Sequence, residues 1–179
     1  MRVTRIAFAA VLLAAGCQST PMATLPLARD VDLDRFEGGW YVIAATPTWI
    51  DAKAVDAMES YRRDPDGSIA TTYTFRDGGF GSPLERYTSR GFVQPGSGNA
   101  VWEMEVLGPL RADYRIAWVA PDYSRVVVAR EKRDYAWIMA RAPRLPEGEV
   151  EELYEVLRAA GYDVGTLRRI PHSAPGGSR

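Results

Sequence analysis

Eight short segments rich in β-branched and aromatic residues follow one another along the chain, separated by turn signals at a spacing of roughly 8 to 12 residues. Turns such as Asp64-Pro65-Asp66-Gly67 carry the proline and glycine that reverse a chain. No helical pattern interrupts the series, which excludes the crossover helices that a parallel sheet requires. The chain is therefore predicted to be all-β. The eight segments are residues 39–46, 56–63, 68–75, 84–93, 99–106, 113–119, 124–130 and 134–141.

Eight antiparallel strands in chain order close most simply into an up-and-down barrel. Closure removes the two exposed edges that an open sheet of this size would have to protect from other chains. A barrel of eight strands also encloses enough space for one small ligand. The predicted fold is an eight-stranded antiparallel barrel. Residues 31–170 comprise this barrel and a helix that follows its last strand.

One amphipathic helix is predicted after the strands, over residues 146–160. Its first turn contains Pro146 and glutamates, which favour a helix start, and Gly161 favours its end. Apolar side chains recur with a helical period and form one stripe, so the helix is expected to pack on the outside of the barrel. A short final strand is predicted around residues 167–170, and residues 171–179 are predicted to be a disordered tail. The stripe consists of Val150, Leu153, Tyr154 and Leu157.

The N-terminal 16 residues form a predicted signal peptide. Two arginines precede an apolar run over residues 6–15, which is too short to span a membrane as a helix. The small residues before Cys17 resemble a bacterial lipoprotein signal, in which the cysteine is acylated and becomes the first residue of the mature chain. A plain secretory signal with an incidental Cys17 is the alternative. Residues 17–30 contain two prolines and are predicted to be an extended tether.

The composition excludes several classes of function. The 179 residues contain one Cys and one His, which excludes an intramolecular disulfide and a metal site built from several thiolates or histidines. The formal net charge of −1 provides no basic surface for nucleic acid. We therefore predict no nucleic-acid partner and no cofactor. The carboxylate pairs Glu103 with Glu105 and Asp51 with Asp56 leave an enzyme as a minor alternative.

Three short motifs resemble the lipocalin family, and within it the bacterial outer-membrane lipoprotein branch. Gly38-Gly39-Trp40 stands at the start of the first strand, Asp122-Tyr123 lies between the sixth and seventh strands, and Arg141 ends the eighth. The resemblance implies that Arg141 stacks on Trp40 at the narrow end of the barrel. Gly38, Trp40, Asp122, Tyr123 and Arg141 are therefore predicted to be structural residues. It also implies a periplasm-facing protein held at the outer membrane by lipid on Cys17.

Strand alternation proposes which side chains line the barrel interior. Tyr, Trp and Met on one face of several strands would accept a flexible apolar chain, because Met adapts its shape and Tyr hydroxyls can bind a polar head group. Parity alone does not say which face points inward, and a bulge would reverse it. The predicted ligand-binding residues are Tyr73, Trp102, Met104, Tyr114, Trp118, Trp137 and Met139.

The sequence therefore predicts a lipid-anchored protein, not an enzyme, that binds and carries fatty acids, lysophospholipids or phospholipids. The alternative is a lipid-anchored scaffold whose barrel is filled by its own aromatic side chains. A homodimer is a further assembly that the sequence leaves open. The family resemblance, and no residue pattern, suggests the storage or transport of envelope lipids.

Overall fold

The computed structural model describes residues 24–107 and 110–173, and within them it confirms the predicted antiparallel barrel with one C-terminal helix. A short helix α1 precedes the strands, a long helix α2 follows them, and a single 3-10 turn leads to a final short strand. The elements are α1 (Leu33–Phe36), β1 (Gly38–Ala45), β2 (Ala54–Arg63), β3 (Ile69–Asp77), β4 (Leu84–Val93), β5 (Val101–Leu107), β6 (Leu110–Val119), β7 (Arg125–Ala129), β8 (Ala136–Ala140), α2 (Glu147–Ala159) and β9 (Arg168–Arg169).

Each strand from β2 to β7 pairs with the next, and β1 closes the barrel by pairing with both β8 and β2. The contact between β1 and β2 is short, because Gly38 to Tyr41 pair with Tyr61 to Met58 and the two strands then diverge. Antiparallel chain order places the loops after β1, β3, β5 and β7 at one end, which we call the open end. The other end, next to α1, is the closed end.

The C-terminal segment fills the gap between the diverging strands β1 and β2. The Ile170 amide donates to the Ile43 carbonyl at 2.9 Å, and the Asp56 amide donates to the Pro171 carbonyl at 2.9 Å. His172 is 7% exposed, and its Nε2 lies 2.9 Å from the Val42 carbonyl oxygen. The prediction that a disordered tail begins at residue 171 is therefore wrong for residues 171–173, because this segment completes the sheet. Residues 174–179 lie outside the described residues.

Helix α2 packs on the outside of the barrel, as predicted from its apolar stripe. Val150, Leu153 and Leu157 are buried against the outward-facing side chains of β7 and β8, including Val127 and Ile138. This outer core is separate from the core inside the barrel. The helix therefore stabilises one wall of the barrel and contributes no side chain to the interior core.

The N-terminal segment contacts the barrel earlier than the sequence predicted. Leu25 is buried in the outer core, and the Ala28 amide donates to the Ile116 carbonyl at 2.8 Å. The part of the predicted tether from residue 25 to residue 30 is therefore attached to the barrel wall, because an apolar side chain and a backbone donor find partners there. The predicted signal peptide and Cys17 lie outside the described residues.

Candidate ligand-binding site

The closed end is sealed by Trp40 and Arg141. Trp40 is 0% exposed, and its indole N–H donates to the Phe36 carbonyl at 2.9 Å. The Arg141 guanidinium carbon lies 3.7 Å from the centroid of the Trp40 ring. Gly38 has a positive φ of 91°, and a Cβ there would lie 3.4 Å from Arg141 Nη1. Glycine is therefore favoured at this position by its backbone conformation, because an L side chain rarely adopts this φ.

Asp122 and Tyr123 hold the chain at the same end. The Tyr123 hydroxyl accepts a hydrogen bond from the Asp32 amide at 2.7 Å, which fixes the residue that caps α1. The Arg35 guanidinium lies 4.2 Å from the centroid of the Tyr123 ring. The Asp122 carboxylate accepts from the amide and hydroxyl of Ser124 within its own turn. The contacts of Tyr123 join the loop between β6 and β7 to α1.

Aromatic rings form the floor of the interior. Phe36, Tyr61 and Trp102 pack with ring centroids 5.0 to 5.7 Å apart. Trp102 stacks on Tyr114 at 5.0 Å with an angle of 15° between their planes. The predicted ligand-binding residues Trp102, Met104, Tyr114 and Met139 all belong to this interior core. The floor is therefore large, apolar and tightly packed.

The sequence analysis missed an acidic side chain inside the barrel. Glu59 pairs across the sheet with Trp40 on β1 and with Tyr73 on β3; Trp40 belongs to the interior core and Tyr73 packs on it. Burial raises the pKa of Glu59 to about 7, an effect that a hydrogen bond with Tyr61 partly offsets. The signal in the sequence was its spacing of two residues from Tyr61, which places both side chains on one face of β2.

Two tyrosine hydroxyls lie beside this carboxyl group. The hydroxyl oxygens of Tyr61 and Tyr114 are 2.5 Å apart. Burial raises the pKa of both phenols, and the charge of Glu59 raises them further, so both are neutral at physiological pH. The floor thus contains a small polar group within an apolar surface.

The half of the interior near the open end is less tightly filled. Tyr73 and Trp137 pack on the interior core but are only partly buried. The Tyr73 hydroxyl donates to Asp51 Oδ2 at 3.0 Å, while Asp51 Oδ1 accepts from the amide and hydroxyl of Thr48. Tyr87 is the register partner of Tyr73 and therefore faces inward, yet it is 44% exposed.

An opening between two strands explains the exposure of Tyr87. Strand β4 pairs with β5 only over Arg90 to Val93, which leaves residues 84–89 without a ladder to β5 in the described part of the chain. Large apolar side chains are exposed around the same end, and Trp49 is the most exposed of them at 88%. The others near the opening are Phe80, Leu84 and Leu110.

Trp118 lies outside the barrel, which corrects its prediction as a ligand-binding residue. A bulge interrupts β6, because Ile116 pairs with Val128 while Trp118 pairs with the adjacent Val127. Ile116 remains inside, whereas Trp118 packs against the outer core beneath α2. The extra residue reverses the parity of the strand, so alternation counted from Tyr114 fails beyond Ile116.

The carboxylate pairs considered for catalysis are engaged elsewhere. Glu103 and Glu105 lie within 2.9 and 3.6 Å of the Arg111 guanidinium in ion pairs exposed to solvent. Asp56 accepts hydrogen bonds from the amide and hydroxyl of Ser173. These contacts hold neighbouring strands and the C-terminal segment in place.

A groove of about 660 Å³ lies outside the barrel, beside the start of α2. Its charged side chains already contact the protein itself. Arg169 forms an ion pair with Glu147 at 3.0 Å, and Arg144 donates to the His172 carbonyl. The groove is the junction between α2 and the C-terminal segment, while the predicted ligand residues other than Trp118 surround the barrel interior.

Comparison with known proteins agrees with this architecture. The sequence profile of the Lipocalin-like domain family matches residues 31–172. The chain is 27% identical over 169 residues to the outer membrane lipoprotein Blc of Escherichia coli, covering 88% of this chain and 89% of that protein. It is 26% identical over 170 residues to temperature-induced lipocalin-1 of Arabidopsis thaliana, covering 86% of each.

A solved structure shares the fold at low sequence identity. Insecticyanin from the tobacco hornworm Manduca sexta superimposes with a TM-score of 0.64 at 18% identity, over 84% of this chain and 85% of that one. Within residues 24–107 and 110–173, no helix is both long and apolar enough to cross a membrane.

Proposed function

Because the chain belongs to the lipocalin-like family and is accordingly a protein that binds small hydrophobic ligands, we propose that it binds fatty acids, lysophospholipids or phospholipids in its barrel. The proposed role is the storage or transport of these lipids, without chemical turnover. The observation that carries the proposal is the partial exposure of inward-facing Tyr87, on the part of β4 that has no ladder to β5 among the described residues. An interior filled completely by side chains would leave an inward-facing tyrosine buried.

The energetics of acyl-chain binding suit such an interior. Each methylene transferred from water contributes about 0.8 kcal/mol, so a chain of about 16 carbons has roughly 10 kcal/mol of gross driving force before ordering and association costs. Micromolar affinity therefore needs a dry apolar surface more than an elaborate set of polar contacts. Tyr73 and Trp137, which pack on the interior core but are only partly buried, provide such a surface between the open end and the floor.

We place the protein at the outer membrane, facing the periplasm and anchored by lipid on Cys17. Its bacterial relatives are named outer membrane lipoproteins, and the residues before Cys17 fit an acylation signal. Two or three acyl chains would hold it firmly, since one chain alone gives only reversible membrane binding. Cys17→Ser should move the protein out of the membrane fraction, and an unchanged distribution would contradict the anchor.

Native mass spectrometry tests ligand binding directly. The chain from residue 18 onward is purified without detergent after mixing with an envelope lipid extract. A one-to-one adduct with the mass of a fatty acid or lysophospholipid, displaced by added fatty acid, is the expected result. A mass without adduct, where a known fatty-acid binder retains its ligand, would instead support the scaffold with a filled barrel. The same spectra report any homodimer, which stays a prediction.

A further inference from the structure

The floor of the barrel contains a polar group without a partner. Thr71 is 2% exposed, and its hydroxyl has no hydrogen-bond partner among residues 24–107 and 110–173. It faces inward, because its register partner on β2 is Tyr61 of the interior core. A buried hydroxyl left unpaired destabilises the fold, so this side chain is suited to a hydrogen-bonding group that enters the barrel.

Glu59 lies beside Thr71, two residue pairs further along the β2–β3 ladder. Its register partner is Tyr73, while that of Thr71 is Tyr61, so the two side chains are diagonal neighbours on the same inner face. Glu59 keeps part of its surface accessible although interior residues flank it on β1 and β3. Side chains in this arrangement border the interior space and can contact a molecule within it.

No cation neutralises Glu59 within the described residues, where it forms no ion pair. The groups that face it are Trp40 from β1, Tyr61 from β2, Thr71 and Tyr73 from β3, and Tyr114 from β6, together with the charge of Asp51 near the open end. Two arginines are engaged elsewhere. Arg141 donates to the Gly39 carbonyl and to three carbonyls of residues 35–37, and Arg168 donates to the Ala54 carbonyl.

We propose that Glu59, Thr71 and the Tyr61–Tyr114 pair bind the polar end of the ligand at the floor of the barrel, and that this end is a hydroxyl or amine group and not a carboxylate. The inference rests on the proposed function and adds a preference to it: a single-chain ligand whose polar end is a hydroxyl or amine group binds more tightly than a fatty acid of the same chain length. The apolar chain then extends from the floor toward the open end, where apolar side chains surround the exit.

The chemistry of the floor favours a donor over an anion. A hydroxyl or ammonium group can donate to the Glu59 carboxylate, and a hydroxyl can also accept from Thr71. A carboxylate would place a second negative charge beside Glu59 in an apolar interior, where no described residue forms an ion pair with that glutamate. Because the pKa of Glu59 is about 7, this repulsion operates above neutral pH and disappears when the carboxyl group is protonated.

Three probes of equal chain length test the proposal: dodecan-1-ol, dodecylamine and dodecanoate. The affinity of the purified chain for each probe is measured at pH 8 and at pH 5 from the displacement of the neutral dye N-phenyl-1-naphthylamine. At pH 8 we expect the alcohol and the amine to bind at least about tenfold more tightly than dodecanoate, and at pH 5 we expect the difference to shrink. Glu59→Gln should raise the affinity for dodecanoate at pH 8 to that of the other two probes. Thr71→Val should weaken the binding of dodecan-1-ol and leave that of the other two probes unchanged.

Glu103→Gln is the matched control, because Glu103 is an acidic residue on the outer face that pairs with Arg111. It should leave all three affinities unchanged. Equal binding of the three probes at pH 8, or a Glu59→Gln variant with the wild-type preference, would overturn the inference while preserving the proposed function. Binding of none of the probes would contradict the proposed function itself.

Discussion

Arg141 lies across the face of Trp40, 3.7 Å from the ring centroid, and donates hydrogen bonds to the carbonyls of Gly39 and Glu37, both at 2.8 Å. One side chain from the end of β8 thus holds the start of β1 and the turn that follows α1. The planar guanidinium can stack and donate in several directions at once, which the ammonium group of lysine cannot do. The closed end therefore depends on arginine at this position.

We expect Arg141→Lys to lower the free energy of unfolding by about 2 to 4 kcal/mol, because the stacking contact and most of the carbonyl hydrogen bonds are lost. Urea denaturation followed by tryptophan fluorescence measures this change. Arg62→Lys is the control, since Arg62 forms an exposed ion pair with Asp64 and its replacement should cost less than about 0.5 kcal/mol. Equal effects of the two substitutions would contradict the structural role of Arg141.

Trp137 and Trp118 form a matched pair that tests which face lines the interior. Trp137 packs on the interior core, whereas Trp118 packs on the outer core. Trp137→Ala should weaken acyl-chain binding by about tenfold or more, because a large apolar contact is removed from the interior. Trp118→Ala should lower stability but leave affinity unchanged. Isothermal titration calorimetry with one single-chain lipid measures the affinity of each variant. A loss of affinity only in the Trp118 variant would show that Trp118, and not Trp137, lines the interior.

The barrel could be predicted because each strand, turn and helix leaves a short sequence pattern, and the strand and turn patterns repeat along the chain. Alternation, turn residues and the stripe of α2 each report a strand, a reversal or a helix within a few residues, so the order of elements followed from the sequence. The motif residues Trp40 and Arg141 were also predictable, because the family resemblance places them at fixed strand ends. Their contact in the structure agrees with the arrangement that the resemblance implied.

The details of the interior depended on pairing between distant strands. The bulge that turns Trp118 outward is set by how β6 pairs with β7, and the sequence carries no local signal for one extra residue. Glu59 is inside because β1 and β3 flank it there, although glutamate alone suggests a solvent-exposed face. His172 is buried because β1 and β2 diverge and leave a gap, which composition cannot reveal in a segment rich in Gly, Pro and Ser.

Glu59 makes stability depend on pH in a specific direction. Its pKa rises from 4.5 in the unfolded chain to about 7 in the fold, so folding favours the protonated form. The stability that the fold gains from the protonated Glu59 side chain is fully present below pH 4.5 and is lost as the pH rises through 7. Glu59→Gln keeps a neutral amide at every pH. We therefore expect the free energy of unfolding of Glu59→Gln, measured relative to that of wild type, to be on the order of 3 kcal/mol higher at pH 8 than at pH 4.

Chemical denaturation at both pH values, with Glu103→Gln as the exposed control, measures the Glu59 effect. A Glu59→Gln variant whose stability parallels that of the wild type from pH 4 to pH 8 would show that the carboxyl group stays hydrated.

His172 acts in the opposite direction over an overlapping range of pH. Burial lowers its pKa below the usual 6.5, and this effect outweighs the nearby Asp56 carboxylate, whose Oδ1 lies 3.9 Å from Nδ1. The neutral ring is favoured in the fold, so its stabilising contribution is complete above pH 6.5 and is lost as the pH falls through the lowered pKa. Protonation should loosen the segment that fills the gap between β1 and β2.

The Glu59→Gln background isolates the effect of His172, because it removes the opposing titration. In that background, stability should fall as the pH decreases from 7 to 5, and adding His172→Gln should flatten this dependence, since the amide can still donate to the Val42 carbonyl without titrating. The protection factor of the Asp56 amide against hydrogen exchange, which corrects for the slower intrinsic exchange at lower pH, should fall over the same range only when His172 is present, since this amide donates to the Pro171 carbonyl. If acid weakens the double variant as much as the single one, His172 does not control this segment and another group must carry the dependence.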